Sequence, residues 1–261
     1  MTSDSKTQSR SGIRSLARRM IAVASGKGGV GKTWLSITLA HALARRGQRV
    51  LLFDGDLGLA NVDIQLGLMP QHDLGGVLAG KLSLNQASST FEEGGFDIIS
   101  GRSGSGGLAN VPVNRLQVLG EDLHLIAAAY DHVILDLGAG VERTVRYLAQ
   151  SAGTILVVTT DEPTSLTDAY AFIKVTHMDN SAANLEVVVN MAESERSGEK
   201  TYNTLLKACQ GFLKMSPRLA GIVQRDTKVR DSIRSQTPVL VRHPTTQAAL
   251  DVEKLASDLM R

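Results

Sequence analysis

The sequence predicts a single α/β domain, built on a mostly parallel sheet with helices on both faces. Short apolar runs rich in β-branched residues, typical of buried strands, alternate with helical patterns along the chain. A glycine-rich loop joins the first of these strands to the first helix. No linker rich in proline, glycine or serine divides the strands into two groups, so we expect one domain rather than two.

The predicted elements follow one another in a regular order. Residues 20–24 are expected to form the first strand, and residues 35–46 an amphipathic helix that Gly47 ends. A second strand is expected over residues 49–54. The remaining predicted elements are a helix at 74–78 and strands at 96–99, 132–136, 154–159, 185–190 and 219–223. A glycine- and serine-rich segment at residues 101–107 contains no lysine, and we interpret it as a connection.

Composition limits the classes of protein to which this chain belongs. Its 261 residues and 43% hydrophobic content are enough for a sizeable core. The single cysteine, Cys209, excludes a disulfide framework and any cysteine-ligated cluster within one chain, and we expect it to be buried in a helix. No run of about 18 apolar residues is present, so no membrane-spanning helix is predicted. The cysteine usage is typical of a cytoplasmic protein.

Positive charge is concentrated at the N-terminus, although the formal net charge of the chain is only +2. The first 19 residues contain Asp4 and five basic side chains, which are Lys6, Arg10, Arg14, Arg18 and Arg19. Three of these arginines are four residues apart, a spacing that suits an anionic membrane surface or a partner protein. A solvated flexible leader has the same composition. We therefore divide the chain into a basic flexible leader, residues 1–19, and a folded domain, residues 20–261.

A second basic zone lies near the C-terminus and is diluted by Asp226 and Asp231. Its members are Arg218, Arg225, Lys228, Arg230, Arg234 and Arg242. Such a zone could contact nucleic acid, but no aromatic side chains are interleaved with the charges. An ordinary solvated face is the alternative interpretation.

The loop after the first predicted strand has the spacing G-x-x-x-x-G-K-[ST]. It consists of Gly26, Lys27, Gly28, Gly29, Val30, Gly31, Lys32 and Thr33. Glycines let backbone N–H groups surround phosphate oxygens, Lys32 reaches the β- and γ-phosphates, and the Thr33 hydroxyl is a ligand for Mg²⁺. The positive end of the following helix dipole points at the same anion. The sequence therefore predicts a P-loop NTPase domain that binds a nucleotide.

Aspartates close the predicted strands at the sheet edge where this loop lies. Asp136 ends an apolar strand, the Walker B position that holds Mg²⁺ directly or through water, whereas capping of the next helix is the other interpretation. Asp54 and Asp56 end the second strand, and alternation along an extended chain puts both on one side. We expect one of this pair to be structural and assign the placing of the attacking water to Asp56. Thr33, Asp56 and Asp136 form the predicted magnesium site.

Asn190 ends another predicted strand. Its amide carries both donors and an acceptor, which matches the edge of a purine base, although spacing alone leaves a structural asparagine as the alternative. His41, His124 and His177 have no metal-ligand spacing and are expected to be structural or solvated.

With a second lysine, Lys27, early in the loop, residues 27–33 resemble the deviant Walker A motif of the MinD/ParA class of ATPases. Within that class the chain is most similar to the flagellar-number regulators of the FlhG/FleN family. The resemblance runs from Met20 to the C-terminus, and residues 163–170 are its most specific part for the flagellar branch. The stretches that carry it are residues 54–63, 136–140, 162–170 and 189–192.

The resemblance implies a role for each site residue. ATP would lie between two protomers, with Lys27 reaching the partner's phosphates, and the catalytic residues would be Lys27, Lys32 and Asp56. Asp56 would match the switch I aspartate that positions water, Asp136 the Walker B acid and Asn190 the adenine-reading asparagine. The implied cofactors are ATP or ADP with Mg²⁺. The implied behaviour is a homodimer with ATP that separates after hydrolysis, with slow turnover until a partner protein completes the site.

The chain departs from the family pattern at three places near the predicted site. Trp34 and Thr38 stand where the family has a small polar residue and an asparagine, and Gln224 stands where it often has proline. We therefore expect Trp34 near the nucleotide or the dimer contact, and an effect of Gln224 on the adenine loop. The N-terminal partner-activating sequence of the flagellar branch is not recognisable before Met20. Residues 245–261 predict a packed helix rather than a basic membrane-binding tail, which leaves the leader as the candidate for membrane contact.

The implied function is an ATP-switched regulator of flagellar number or placement, or of a related spatial process. It would act in the cytoplasm or peripherally at the membrane or cell pole. The alternative within the class is a ParA-like partition ATPase whose ATP dimer binds DNA non-specifically through the basic zone. An enzyme of the nitrogenase iron protein type would need cysteines to bridge a cluster between chains, and Cys209 alone disfavours it. A tyrosine kinase with a similar loop would need a tyrosine-rich tail, which this sequence lacks.

Overall fold

The structure, a computed structural model, describes residues 16–101 and 111–261. The predicted leader up to residue 15 and most of the 101–107 connection lie outside the described residues. The strands are β1 Met20–Ser25, β2 Val50–Gly55, β3 Ser88–Phe91, β4 Phe96–Ile99, β5 His132–Ala139, β6 Thr154–Thr159, β7 Leu185–Ala192 and β8 Arg218–Gln224. They form one sheet in the order β3-β4-β2-β5-β1-β6-β7-β8. Every neighbouring pair is parallel except β3 and β4.

Helices connect these strands and cover both faces of the sheet. They are α1 Lys32–Ala44, α2 Val62–Leu66, α3 Leu74–Leu78, α4 Leu84–Ala87, α5 Val113–Ile126, α6 Arg143–Gln150, α7 Pro163–Asp179, α8 Glu195–Ala208, α9 Thr227–Arg234, α10 Val239–Arg242 and α11 Gln247–Leu259. A short 3₁₀ turn, Ala127–Ala129, follows α5, and a π turn, Cys209–Leu213, follows α8. The predicted α/β class with a mostly parallel sheet is confirmed.

Side-chain alternation along each strand divides the core into two layers. On β1, Ile21 and Val23 belong to the layer that contains α1, α2 and the three C-terminal helices. Met20, Ala22 and Ala24 belong to the opposite layer, which is built from α3 to α8. Because both faces are covered, the central strands are continuously apolar, as a parallel sheet requires.

Seven of the eight strands match the predicted runs, and β5 and β7 extend furthest beyond their predicted ends. β5 continues through Ala139 and β7 through Ala192. The prediction missed β3, an edge strand that pairs antiparallel with β4 and buries only Phe91 among its four residues. Such a strand carries no apolar alternation, which is why the sequence pattern did not reveal it.

The first helix is not amphipathic, so that prediction is wrong. Eleven of its 13 residues are buried, from Lys32 through Leu43. The reason is that α1 lies between the sheet and α11, so that neither side faces solvent. The end of the helix is as predicted: Gly47 has a φ of 78°, and its N–H donates to the carbonyl of Ala44.

The C-terminal helix and the cysteine are placed as predicted. On α11, Ala248, Val252 and Leu255 are buried, which makes it a packed helix. Cys209 is buried at the end of α8, and burial raises the pKa of its thiol to about 11. Among the described residues, no helix has the length and apolar character needed to cross a membrane.

Residues at the end of the predicted leader contact the domain. The Arg19 guanidinium donates to the carbonyl of Tyr130 over 2.9 Å. The N–H of Gly153 donates to the carbonyl of Ala17 over 2.7 Å. The division of the chain after residue 19 stays a prediction.

Burial of α1 on all sides leads to a stability prediction. We expect Leu39→Ala to lower the free energy of unfolding by about 2–5 kcal/mol, because a fully buried leucine leaves a cavity when it is truncated. Leu125→Ala is the control, since Leu125 is 71% exposed, and should change it by less than about 0.5 kcal/mol. Urea denaturation measures both, and equal losses would contradict the packing described.

Candidate functional site

The glycine-rich loop joins the carboxyl end of β1 to the first turn of α1. Gly29 and Gly31 have φ values of 79° and 88°, a region that side chains with a Cβ rarely adopt. A Cβ on Gly31 would also lie 2.5 Å from Nδ2 of Asn190. Glycine is therefore required at Gly31 for two independent reasons, conformation and space.

Ser25, the last residue of β1, organises the two ends of this loop. Its Oγ donates to the carbonyl of Lys27 over 2.6 Å and accepts from Nζ of Lys32 over 3.0 Å. Lys32 is 9% exposed, and burial lowers the pKa of its ammonium group while Asp136 and Asp56 oppose that shift. The side chain of Lys32 is thus held inside the loop, where the sequence places a phosphate.

Asp54 has a structural role, as expected for one of the two carboxylates at the end of β2. It is fully buried, and its oxygens accept from the backbone N–H groups of Asp56 at 3.3 Å and of Asn61 and Val62 at 3.1 Å. The carboxylate therefore fixes the turn after β2 to the start of α2. Its neighbour across the sheet is Asp136, which is paired with it in the register of β2 and β5. Burial and the proximity of the two acids raise the pKa of Asp54.

Asp136 combines burial with an oxygen that has no protein partner. Its Oδ1 accepts from the Ser36 hydroxyl over 2.9 Å, whereas its buried Oδ2 has no hydrogen-bond partner among the described residues. Burial raises the pKa of Asp136, and hydrogen bonding from Thr33 and Ser36 opposes the shift. A carboxylate oxygen beside a threonine hydroxyl is the donor chemistry that Mg²⁺ uses in phosphate sites, so the residues present fit this ion.

Asp56 lies where β2 meets the following turn. Its Oδ1 accepts from the N–H groups of Gly58 and Leu59 at 3.2 and 3.0 Å. A Cβ on Gly138 would stand 3.3 Å from the same oxygen, so the backbone at the end of β5 approaches this carboxylate closely. The backbone thereby orients the Asp56 carboxylate between the turn after β2 and the end of β5.

A large cavity opens at this edge of the sheet, with a volume of about 1120 Å³. Of the predicted site residues, Gly28, Gly29, Gly31, Lys32, Thr33, Trp34, Asp56 and Asn190 line it. Gly26, Lys27, Val30 and Asp136 do not line it. The cavity is large enough for a nucleoside triphosphate, since small-molecule sites span about 300–1,000 Å³.

Asn190 contacts the phosphate loop from the end of β7. Its Nδ2 donates to the carbonyl of Val30 over 2.8 Å, and its Oδ1 accepts from the N–H of Met191 over 2.9 Å. The side chain is 3% exposed. An amide nitrogen carries two N–H groups, so one donor remains for a ligand in the cavity.

Lys27 points away from its own cavity. Its Nζ lies 2.5 Å from Oε2 of Glu162 and 2.7 Å from Oγ1 of Thr164, at the start of α7. The hydrogen bond from Lys27 lowers the pKa of Glu162. The two loop lysines therefore have different surroundings, because Lys32 is enclosed and Lys27 is at the surface.

Trp34 and Thr38, two departures from the family pattern, lie on α1. Trp34 is 6% exposed, lines the cavity, and its buried Nε1 has no acceptor among the described residues. The Thr38 hydroxyl donates to the carbonyl of Trp34 over 2.7 Å. The expected position of Trp34 beside the cavity is what the structure shows, whereas its effect on binding stays a prediction.

Several residues of the site were not predicted. Ser25 and Glu162 contact the two loop lysines, and only the position of Ser25 directly before the motif would have drawn attention to it. Arg225 and Arg230 line the cavity from the segment after β8. They were predicted only as part of the basic zone, because spacing gives no sign that this segment meets the P-loop.

Comparison with known proteins identifies the class. Residues 21–239 match the model of the CobQ/CobB/MinD/ParA nucleotide binding domain. The antiactivator FleN of Pseudomonas aeruginosa is 36% identical over 91% of this chain and 85% of its own length. The flagellum site-determining protein YlxH of Helicobacter pylori is 27% identical over 93% of this chain and 82% of its own length.

Solved structures agree with this class. The cell division ATPase MinD of Pyrococcus furiosus has a TM-score of 0.79 and 25% identity, covering 93% of this chain and 98% of its own. MinD of Pyrococcus horikoshii in complex with Mg-ADP has a TM-score of 0.77 and 25% identity, covering 92% and 95%.

This chain belongs to the MinD/ParA family of P-loop ATPases. The predicted resemblance, the ATPase class, and ATP or ADP with Mg²⁺ as cofactors are confirmed at this level.

The geometry of the loop leads to a prediction for the free protein. We expect Gly31→Ala to lower the free energy of unfolding by about 1–3 kcal/mol, because the new Cβ meets both an unfavourable φ and the Asn190 amide. Gly28→Ala is the matched control, since a Cβ there has no atom within 4 Å. Thermal unfolding without nucleotide compares the two, and a Gly31→Ala protein as stable as the control would contradict the geometry.

Proposed function

We propose that this protein is an ATP-driven molecular switch that controls the number or placement of flagella. It pairs with a second copy when ATP is bound and separates after hydrolysis. The similarity to FleN and YlxH supports the flagellar process. The position of Lys27 is the observation that supports the switch: its ammonium group is outside the cavity of its own chain, at the surface, where a second chain can approach.

The predicted site residues have distinct roles in this proposal. Lys32 and the loop N–H groups hold the phosphates, and Thr33 and Asp136 hold Mg²⁺. Asp56 orients the attacking water from its backbone-fixed position. Asn190 offers its remaining N–H to the adenine ring.

The negative charge of the triphosphate drives the switch. ATP brings charge that Lys32 of one chain and Lys27 of the other share, and hydrolysis with phosphate release removes part of it. The equilibrium between monomer and dimer therefore depends, by mass action, on which nucleotide is bound. Turnover is slow until a protein partner completes the positioning of water and charge.

One member of the basic zone, Arg218, lies at the opposite end of β8 from the others. Arg218 starts β8 and pairs with Glu186 over 2.6 Å, whereas Arg225 follows the other end of that strand and lines the cavity. Arg242 pairs with Asp231 over 2.8 Å. No observation favours DNA over a protein partner, and DNA binding is therefore tested as an alternative outcome.

Location in the cell follows from the same proposal. The protein acts in the cytoplasm and reaches the membrane or the cell pole peripherally, through the basic leader or through a partner. The leader, whose residues 1–15 lie outside the described part of the chain, is the segment to delete when liposome binding is measured.

Asp56→Ala tests whether Asp56 is needed for ATP hydrolysis. We expect ATP binding to persist, hydrolysis to fall by about 10²-fold or more, and a dimer to accumulate, because the water loses its orienting base. Size-exclusion chromatography with light scattering, and a phosphate-release assay, measure these effects. Glu121→Ala, at an exposed acid on α5, is the control. A variant that stays monomeric with ATP would count against the role of Asp56.

Lys27→Ala tests whether Lys27 is needed for dimerisation. The variant should bind ADP within about threefold of the wild type, since Lys27 does not line its own cavity, but should remain monomeric with ATP. Lys174→Ala, at an exposed lysine on α7, is the matched control. Normal dimerisation of Lys27→Ala would show that this lysine does not act across the interface.

Repeating the assay on the wild type with DNA and with anionic liposomes separates a flagellar regulator from a partition ATPase, since DNA binding only with ATP would favour the partition ATPase.

A further inference from the structure

The last residue of β8 and the segment that follows it form part of the cavity wall. Gln224, Arg225, Asp226 and Thr227 all line the cavity together with Asn190. Under the proposed function, this end of the cavity contacts the nucleobase, and the P-loop end contacts the phosphates. The position of this segment therefore decides how well a base is held.

Two hydrogen bonds with other residues of the same chain hold Arg225 and Asp226, which follow Gln224. The N–H of Arg225 donates to the carbonyl of Ala192 at the end of β7 over 2.8 Å. Asp226 caps α9, with its Oδ1 accepting from the N–H of Lys228 over 2.8 Å. Gln224 itself is the last residue of β8, where it is in register with Ala192 of β7.

The third contact comes from the C-terminal helix. The N–H of Gln224 donates to Oδ2 of Asp251 over 2.8 Å. Because β8 is an edge strand, an N–H that points away from β7 has no ladder partner, and this carboxylate supplies one. A hydrogen bond to a charged acceptor is stronger than one between neutral groups.

The Asp251 carboxylate is itself held in place. Its Oδ1 accepts from Nε2 of Gln247 over 2.8 Å, one helical turn earlier. The same helix is anchored by buried Ala248, Val252 and Leu255. The acceptor for Gln224 is thus presented from a rigid element that packs against the sheet.

We propose that Asp251 is a positioning residue for the base end of the nucleotide site. The proposal rests on the proposed nucleotide-binding function and goes beyond it, since Asp251 does not line the cavity. Proline at position 224 would restrict φ and have no N–H to satisfy. In this chain, where glutamine stands there, the carboxylate of α11 restrains the segment instead.

The test compares a ligand that carries a nucleobase with a ligand that has only phosphates. ADP and inorganic tripolyphosphate, each with Mg²⁺, are titrated calorimetrically into the full chain and its variants. We expect Asp251→Ala to weaken ADP binding by about three- to tenfold and to leave tripolyphosphate binding within about twofold. Asp251→Asn keeps an acceptor oxygen and should bind ADP within about twofold of the wild type.

A double-variant cycle identifies Gln224 as the group through which Asp251 acts. In a Gln224→Pro background the N–H is absent, so adding Asp251→Ala should cause no further loss of ADP affinity. Asp258→Ala is the control on the same helix, where Asp258 pairs with Arg261 over 3.2 Å, and it should bind both ligands normally. Thermal unfolding of each free variant accompanies the titrations.

The possible outcomes are distinct. Unchanged ADP affinity in Asp251→Ala, equal losses for ADP and tripolyphosphate, or an undiminished loss in the Gln224→Pro background would each overturn the positioning role while leaving the proposed function intact. If the wild type binds neither ligand, the proposed function fails and this inference falls with it.

Discussion

The hydrogen bond between the Asn190 amide and the carbonyl of Val30 ties the phosphate loop to the end of a strand two places away in the sheet. It is possible only because Gly31 has no Cβ, since a methyl group there would stand 2.5 Å from the amide nitrogen. The parallel sheet makes the contact available by bringing the carboxyl ends of β1 and β7 to one edge. The placement of the loop against β7 and the remaining N–H of Asn190 both depend on this arrangement.

Charge is distributed unevenly around that contact. Two buried aspartates stand side by side on β2 and β5, and the nearest ammonium group, that of Lys32, is also largely buried. Asp54 accepts hydrogen bonds from backbone N–H groups, whereas Asp136 has one oxygen with no partner in the part of the chain that the structure describes, so Asp136 is the acid arranged to receive a cation. Lys27, by contrast, is paired with a surface carboxylate. Exposed ion pairs contribute little to stability, so this lysine can change partners at small cost.

Sequence patterns revealed the central strands because each is apolar throughout, and the P-loop because its motif residues are contiguous in the sequence. They missed β3, which buries one residue, and misjudged α1, because burial on both sides depends on α11, about 200 residues later in the chain. Contacts between distant residues, such as Lys27 with Glu162 or Gln224 with Asp251, leave no spacing to detect. Thr33 was predicted from the P-loop motif, and Asp56 and Asn190 from strand ends that converge at one edge together with the family resemblance, whereas Arg225 and Arg230 were predicted only as part of the basic zone.

The central claim is that the terminal phosphate decides whether two copies stay together. Light scattering of the wild type with Mg-ADP and with a non-hydrolysable ATP analogue, at low and high ionic strength, tests it most directly. The account predicts a monomer with ADP and a dimer with the analogue, and the dimer should weaken as salt screens the shared charge. The same molecular mass with both nucleotides, at concentrations that saturate the site, would contradict it.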